Sequence, residues 1–214
     1  MPRRTPEEEK LRFEGLLLRE KELWGSGILH VAGVDEAGRG PLAGAVYAAA
    51  VILPQDIYIE GLDDSKKLSE KKREQLYDVI CEKAVAWAVA SADEREIDEI
   101  NILNATHLAM NRAVSALGIA PDYCIIDGNS IKGMTLPHET MVKGDAKSAS
   151  VAAASVLAKV SRDRYIREIA KAYPEYGFDK HKGYGTREHT EAILKYGVLT
   201  VHRKTFLKKL LGEV

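Results

Sequence analysis

Hydrophobic positions along the chain change period several times, and each change predicts an element. Pro6 to Trp24 is rich in helix formers, with Leu11, Phe13, Leu16, Leu17, Leu18, Leu23 and Trp24 as its apolar set. This predicts a peripheral helix ended near Gly25-Ser26-Gly27. Ile28 to Val34 is a short apolar run and reads as a buried strand; Leu42 to Leu53, stopped by Pro54, reads as a second. Ser69 suits the cap of a helix over Glu70 to Lys83, with Leu76, Val79 and Ile80 on its apolar face. In Ala84 to Ala90 the larger residues Val85, Trp87 and Val89 alternate with alanine, a third strand pattern. Leu103, Thr106, Met110, Ala113 and Leu117 fall at helical spacing within Ile97 to Leu117. Tyr123 to Ile126 predicts a fourth strand ending at Asp127, and Thr135 to Lys143 holds a fifth. A long helix follows over Ala146 to Tyr173, with the small residues Ser148, Ala152, Ser155 and Ala158 on its early face. Thr186 and Gly197 bracket a shorter helix, and the tail from Val201 is amphipathic and basic.

Strands alternating with helices predict a mixed α/β sheet covered by helices. Strands one and two are joined by too few residues for a crossover, so they should run antiparallel. Composition changes this picture little. The chain has 214 residues, 45% hydrophobic and 29% charged, with a net charge of −1; this excludes a globally basic nucleic-acid binder. The longest apolar run, Ala45 to Leu53, is too short to cross a membrane. The N-terminus lacks an apolar h-region, so no secretory signal is expected and the cytoplasm is the default compartment. Cys81 and Cys124 read as small buried hydrophobes, and no paired cysteine spacing suggests zinc. Basic residues still cluster locally, at Lys66-Lys67, Lys71-Lys72-Arg73, Lys180 with Lys182, Arg203-Lys204 and Lys208-Lys209. Such clusters suit either solvated helix faces or a phosphate track.

Candidate chemistry gathers where acids meet apolar elements. Asp35-Glu36 end strand one, Asp127 ends strand four, and Asp145 opens the long helix. Ligands of open α/β sheets collect beyond the strand ends, so neighbouring strands one and four would bring Asp35 and Asp127 together. Clustered carboxylates repel unless a cation sits between them, and hard oxygen ligands suit Mg2+ or Mn2+. Adjacent strand residues point to opposite faces, so Asp35 and Glu36 can share a metal only if the strand ends or bulges there. Asp145 also suits a helix cap, and Asp127-Gly128-Asn129 a plain turn. Asp63-Asp64, Asp93-Glu94 and Asp98-Glu99 read as solvated turns and helix starts.

Two glycine loops stand near these acids. Gly38-Arg39-Gly40-Pro41-Leu42-Ala43-Gly44 has one residue too many for a dinucleotide fingerprint, and a strand follows it instead of a helix. Its glycines permit close approach of a sugar-phosphate backbone whose 2′-hydroxyl peptide groups could sense. Lys180-His181-Lys182-Gly183-Tyr184-Gly185-Thr186 pairs lysines with an aromatic ring, which suits a phosphate contact and a stacked sugar or base. An inward-packed Tyr184 is the alternative. Ser65-Lys66-Lys67 and Lys143-Gly144 are weaker signals of the same kind.

Val34-Asp-Glu-Ala-Gly-Arg-Gly-Pro-Leu-Ala-Gly44 resembles the signature of ribonuclease HII, the type 2 ribonuclease H family. The resemblance extends to Asp63–Leu68, Ile126–Asn129, Lys143–Ser148, Ala153–Lys159 and His181–Thr186, in order. It implies a ribonuclease H-like α/β fold, with a five-stranded mixed sheet flanked by helices and a C-terminal helical extension. It implies metal-dependent cleavage of RNA in RNA–DNA hybrids and 5′ of ribonucleotides embedded in duplex DNA, leaving 3′-hydroxyl and 5′-phosphate ends. Asp35, Glu36, Asp127 and Asp145 fall on that family's metal-binding catalytic acids. Gly38, Arg39 and Gly40 fall on the loop that reads the ribose 2′-hydroxyl, and Tyr184 on the tyrosine that stacks on the following sugar. Lys66, Lys143 and Lys182 are candidate phosphate contacts.

The expected division is an N-terminal helical extension over 1–27, a catalytic core over 28–173 and a C-terminal extension over 174–214. Two Mn2+ or Mg2+ ions are the expected cofactors. The partners are RNA–DNA hybrid and ribonucleotide-containing duplex, acted on by a monomer without membrane contact. The tail Phe206–Leu211 lacks the glutamine and paired aromatics of a sliding-clamp peptide. Another ribonuclease H-fold nuclease and a non-catalytic nucleic-acid-binding module are the alternatives. A two-carboxylate glycosidase fits poorly, because its acids must flank a bond from opposite sides.

Overall fold

A computed structural model describes residues 5–212. Five strands form one sheet: β1 Val31–Ala37, β2 Val46–Ile52, β3 Ala86–Ala92, β4 Tyr123–Asp127 and β5 His138–Met141, in the order β3-β2-β1-β4-β5. β1 pairs antiparallel with β2, as the short connection requires, and parallel with β4. The helices are α1 Pro6–Leu16, α2 Leu18–Gly25, α3 Glu70–Lys83, α4 Glu94–Ser115, α5 Ala149–Ala172, α6 Phe178–His181, α7 Arg187–Tyr196 and α8 Lys204–Leu211. No helix among the described residues is long and apolar enough to cross a membrane.

The sheet is buried on both faces. Ala32 and Val34 of β1 pack with Ala48, Ala50 and Ile52 of β2 against α4 residues Ala105, Ala109 and Met110. On the other face, Ala49 and Val51 meet α5, with α1 and α3 outside it. The small residues of α5 allow this approach: Ser148, Ala152, Ser155 and Ala158 are all buried. At the closest point, a Cβ on Gly33 would lie 2.1 Å from the Ser150 carbonyl carbon. β1 and α5 therefore touch backbone to backbone, directly beneath Asp35.

Several expected boundaries move. The N-terminal helix is two helices broken at Leu17, an arrangement that buries Phe13, Leu16, Leu17 and Leu23 and leaves Leu11 and Leu18 exposed. β1 starts at Val31 and continues through Asp35 and Glu36 to Ala37, later than the run Ile28–Val34 suggested. β2 begins at Val46; Leu42 to Gly44 instead bond to Gly183, Val201 and Arg203, a non-local contact that overrides the strand pattern. β3 is shifted to Ala86–Ala92, and of its alternating residues the alanines Ala86, Ala88 and Ala92 are buried while Trp87 is outward and meets Tyr77 edge-on. α4 starts earlier than expected because Asp93 and Glu96 form a capping box, and it kinks at Asn101. β5 is shorter than Thr135–Lys143. α5 starts at Ala149, capped by Ser148, whose hydroxyl and the Ser150 amide both donate to buried Glu20 of α2. The last two residues of the basic tail, and the first four of the N-terminal extension, lie outside the described residues.

Candidate active site

The β1–β4 register Val34↔Ile126 places Asp35 and Asp127 side by side at the carboxyl ends of parallel strands. Both extend the Gly33 and Ile125 side of the sheet, the face covered by α5. Carboxylate oxygens of Asp35, Glu36 and Asp127 lie within 4.8 Å of one another. As expected, the strand ends there: β1 stops at Ala37, one residue past Glu36, and no bulge interrupts it. β1 stays in register with β2 through Glu36↔Ala48 and Ala37↔Tyr47. The release is on the other edge, where pairing with β4 stops at Val34. Asp35 and Glu36 lie beyond the β1–β4 register, where the adjacent acids both come within reach of Asp127.

Asp35 is 3% exposed and accepts a hydrogen bond from the Glu36 amide at 2.7 Å. Burial, then the charges of Glu36 and Asp127, push its carboxyl well above the usual range. Burial also raises Glu36, with Arg39 opposing from 3.6 Å. Asp127 accepts from the Gly144 amide at 2.7 Å, which ties β4 to the turn carrying the fourth acid.

That acid, Asp145, does not open the long helix. It sits in a separate 3-10 turn, Gly144–Ala146, and Ser148 is the cap. Asp145 is buried beside the trio but outside the 4.8 Å group. Its carboxyl is raised by burial, by Asp64 and by Asp127, against the pull of Lys66 at 3.6 Å. Asp64 is therefore half-buried at the edge of the site, not in a solvated turn; its side chain also accepts from the Lys66 amide. Asp98 caps α8 through the Lys204 and Thr205 amides, and Glu94 is buried against the Tyr165 hydroxyl. Asp93-Glu94 do start a helix and Glu99 is exposed, as read from the sequence; Glu94 and Asp98 depart from that reading because Tyr165, Lys204 and Thr205 reach them from far along the chain.

Only Lys66 among the three candidate lysines reaches the acids. Partial burial works against its ammonium, but Asp35 and Asp145 hold it above its ordinary value. Lys143 is exposed in left-handed backbone, and Lys182, also left-handed, gives its carbonyl to Arg162. The cleft beside Glu36 is lined by Gly38, Arg39, Gly40, Lys66, Lys159, Arg162 and Tyr184. Lys159 and Arg162 were not singled out as site residues. Their signal was position: three residues apart on α5, downstream of Asp145, they share a face.

Tyr184 is 47% exposed over the glycine turn, not packed inward; a methyl on Gly40 would sit 3.5 Å from its ring. Its loop rests on stacked imidazoles, with His181–His189 centroids at 4.3 Å and His189–His202 at 5.3 Å. The Leu199 amide donates to His202 Nδ1, which assigns the proton to Nε2, 3.1 Å from His189 Nε2. His189 Nδ1–H in turn donates to the Tyr184 carbonyl at 2.9 Å. Burial pushes both His189 and His202 down to about 4, so the chain of bonds is neutral at pH 7.

Three converging carboxylates, desolvated and like-charged, fit a hard divalent cation by their donor chemistry. The ribonuclease HII family profile matches residues 32–209. Ribonuclease HII of Acetivibrio thermocellus is 55% identical over 94% of this chain and 79% of its own length. That of Caldicellulosiruptor saccharolyticus is 54% identical over 90% and 94%. Ribonuclease H2 of Pyrococcus horikoshii superimposes with a TM-score of 0.72 at 28% identity, covering 85% of this chain and 97% of the other. The Archaeoglobus fulgidus ribonuclease HII, solved in complex with PCNA, gives 0.66 at 25% identity over 82% and 94%. With its strand order, its paired acids and these relatives, the chain belongs to the ribonuclease HII family and is a ribonuclease H endonuclease.

Proposed function

We propose that Asp35, Glu36, Asp127 and Asp145 hold divalent Mn2+ or Mg2+ at the scissile phosphate of a ribonucleotide in a hybrid or a DNA duplex. The single observation that carries this is the convergence of Asp35, Glu36 and Asp127 within 4.8 Å in a site whose burial raises the proton affinity of Asp35 and Glu36. Held by these carboxylates, such ions would supply Lewis acidity for the attacking water and for the leaving oxygen of an in-line displacement. The chain's own residues supply the rest. The Gly144 amide keeps Asp127 in the site, and Lys66 offsets the acids on the Asp145 side while reaching for a phosphate. Gly38, Arg39 and Gly40 bring backbone amides to the ribose, and the exposed Tyr184 ring stacks on the next sugar. Lys159, in the same cleft and paired with Asp163 at 2.6 Å, joins Lys143 and Lys182 as a candidate phosphate contact, while Arg162 is buried and holds backbone carbonyls.

A ribonuclease HIII of the same fold, 18% identical, has been solved with Mn2+; the donor set here suits Mn2+ and Mg2+ alike. Glu20 of the N-terminal extension and Arg203 of the C-terminal extension brace this site from two sides.

Cleavage of a duplex with one embedded ribonucleotide tests the reading, with and without EDTA, for the parent and Asp127→Asn. Metal-dependent cutting 5′ of the ribonucleotide, lost in the variant, is expected. Cutting in EDTA, or an unaffected variant, overturns it.

A further inference from the structure

We infer that Arg203 is the positioning residue that shapes the Gly38–Gly44 turn for ribose recognition, acting through backbone carbonyls; the inference rests on the reading of that turn given above. Arg203 is fully buried. Its guanidinium donates to four carbonyls of the turn: Gly38 at 2.6 Å, Arg39 at 3.0 Å, Pro41 at 2.8 Å and Gly44 at 2.8 Å. Its backbone amide donates to a fifth, Leu42, at 2.9 Å. No carboxylate oxygen among the described residues lies within ion-pair distance of it, and the Phe206 ring lies 5.2 Å from its Cζ. The carbonyl dipoles thus solvate the cation, and the cation holds them in one arrangement.

The consequence for the substrate follows from peptide geometry. The peptides here are trans, so each N–H points opposite to the preceding carbonyl. Carbonyls 38 and 39 aim at the guanidinium, so the amides of Arg39 and Gly40 aim away from it. Neither amide donates to an acceptor among the described residues. They are free donors on the cleft side, next to Glu36 and Tyr184. A second guanidinium, Arg162, takes the Ala43 and Lys182 carbonyls, and the Leu42 amide donates to Gly183, which joins the turn to the Tyr184 loop. Only a planar fork with five donors can serve carbonyls on two sides at once; a lysine ammonium or a glutamine amide cannot.

Hydrogen exchange combined with kinetics on Arg203→Lys and Arg203→Gln tests this. In folded variants, the amides of Leu42 and Gly44 should exchange faster by about tenfold or more while β1 and β4 keep parental rates. On the single-ribonucleotide duplex, kcat/KM should fall by about tenfold or more, with Arg203→Lys the milder variant. Parental exchange in the turn, or a kinetic loss no larger than the unfolded fraction, overturns the inference. The parent gives a second test if neither variant folds. Under rising urea, Leu42, Gly44 and Arg203 amides should open together as one unit; Leu42 and Gly44 opening while the Arg203 amide stays protected would contradict the clamp. If the parent fails to cut at a ribonucleotide, the reading of the turn falls, and the exchange results still decide whether Arg203 holds it.

Discussion

Two regions lie side by side in the chain and carry opposite charge problems. Asp35 and Glu36 belong to a group of carboxylates with too little positive charge beside it. A few residues later, the Gly38–Gly44 turn surrounds a buried guanidinium with no carboxylate beside it. Arg203 is satisfied by carbonyls, so its charge is part of the scaffold. The acids have partners too, the Glu36 and Gly144 amides with Arg39 and Lys66 at 3.6 Å, but these leave the carboxyls of Asp35, Glu36 and Asp145 raised. Burial alone does not mark a functional group; burial of like charges together does.

The comparison breaks most visibly at Asp127. Replacing it with Asn should lower cleavage by roughly a thousand-fold or more, the several kcal/mol a bound cation supplies. Asp35→Asn should match that loss yet melt at a higher temperature than the parent without metal, because it removes a desolvated like charge. A lower melting temperature would contradict the claim that the acids strain the free enzyme. Next in size is Gly38→Ala: its Cβ would lie 2.1 Å from Arg162 Nε, on backbone at φ +100°. It should cost about 1–3 kcal/mol in chemical denaturation and displace the turn. Gly40→Ala, with ordinary contact to Tyr184, should stay within about 1 kcal/mol of the parent in the same assay.

The smallest effect is in pH dependence, where the acids and the histidines beneath the Tyr184 loop should slope oppositely. Asp35 and Glu36 bind protons more tightly folded than unfolded, so their share of stability is full below their ordinary values of 3.8 and 4.5 and is lost as pH rises above them. His189 and His202 bind protons less tightly folded, so their share is full above 6.5 and is lost as pH falls towards about 4. Melting curves of Asp35→Asn across this range should lose part of the first slope and keep the second.

Much of the acid site was legible beforehand. Asp35 and Asp127 each close an apolar run, and the alternation of elements made their strands neighbours. Glu36 was harder, because strand parity argues against it and only the end of pairing at Val34 resolves the conflict. Asp145 was placed correctly beside the acids but given the wrong local role, since Ser148 outcompetes it as the cap. Arg203 was not legible at all. In the sequence it stands in a basic pair with Lys204 and looks like a solvated face; only the tertiary fold shows that its partners are carbonyls roughly 160 residues away. Which face of β3 is buried was likewise not legible, since α4 lies close enough that alanine fits beneath it and Trp87 does not.

The most direct test of this division is the Mn2+-induced rise in melting temperature, measured beside cleavage of the single-ribonucleotide duplex, for Asp127→Asn and Gly38→Ala. Asp127→Asn should lose both the metal-induced rise and the cutting, whereas Gly38→Ala should keep the rise and lose most of the cutting. A Gly38→Ala protein that no longer responds to Mn2+, or an Asp127→Asn protein that responds as the parent does, would show that metal binding and ribose recognition are not divided between the acids and the turn.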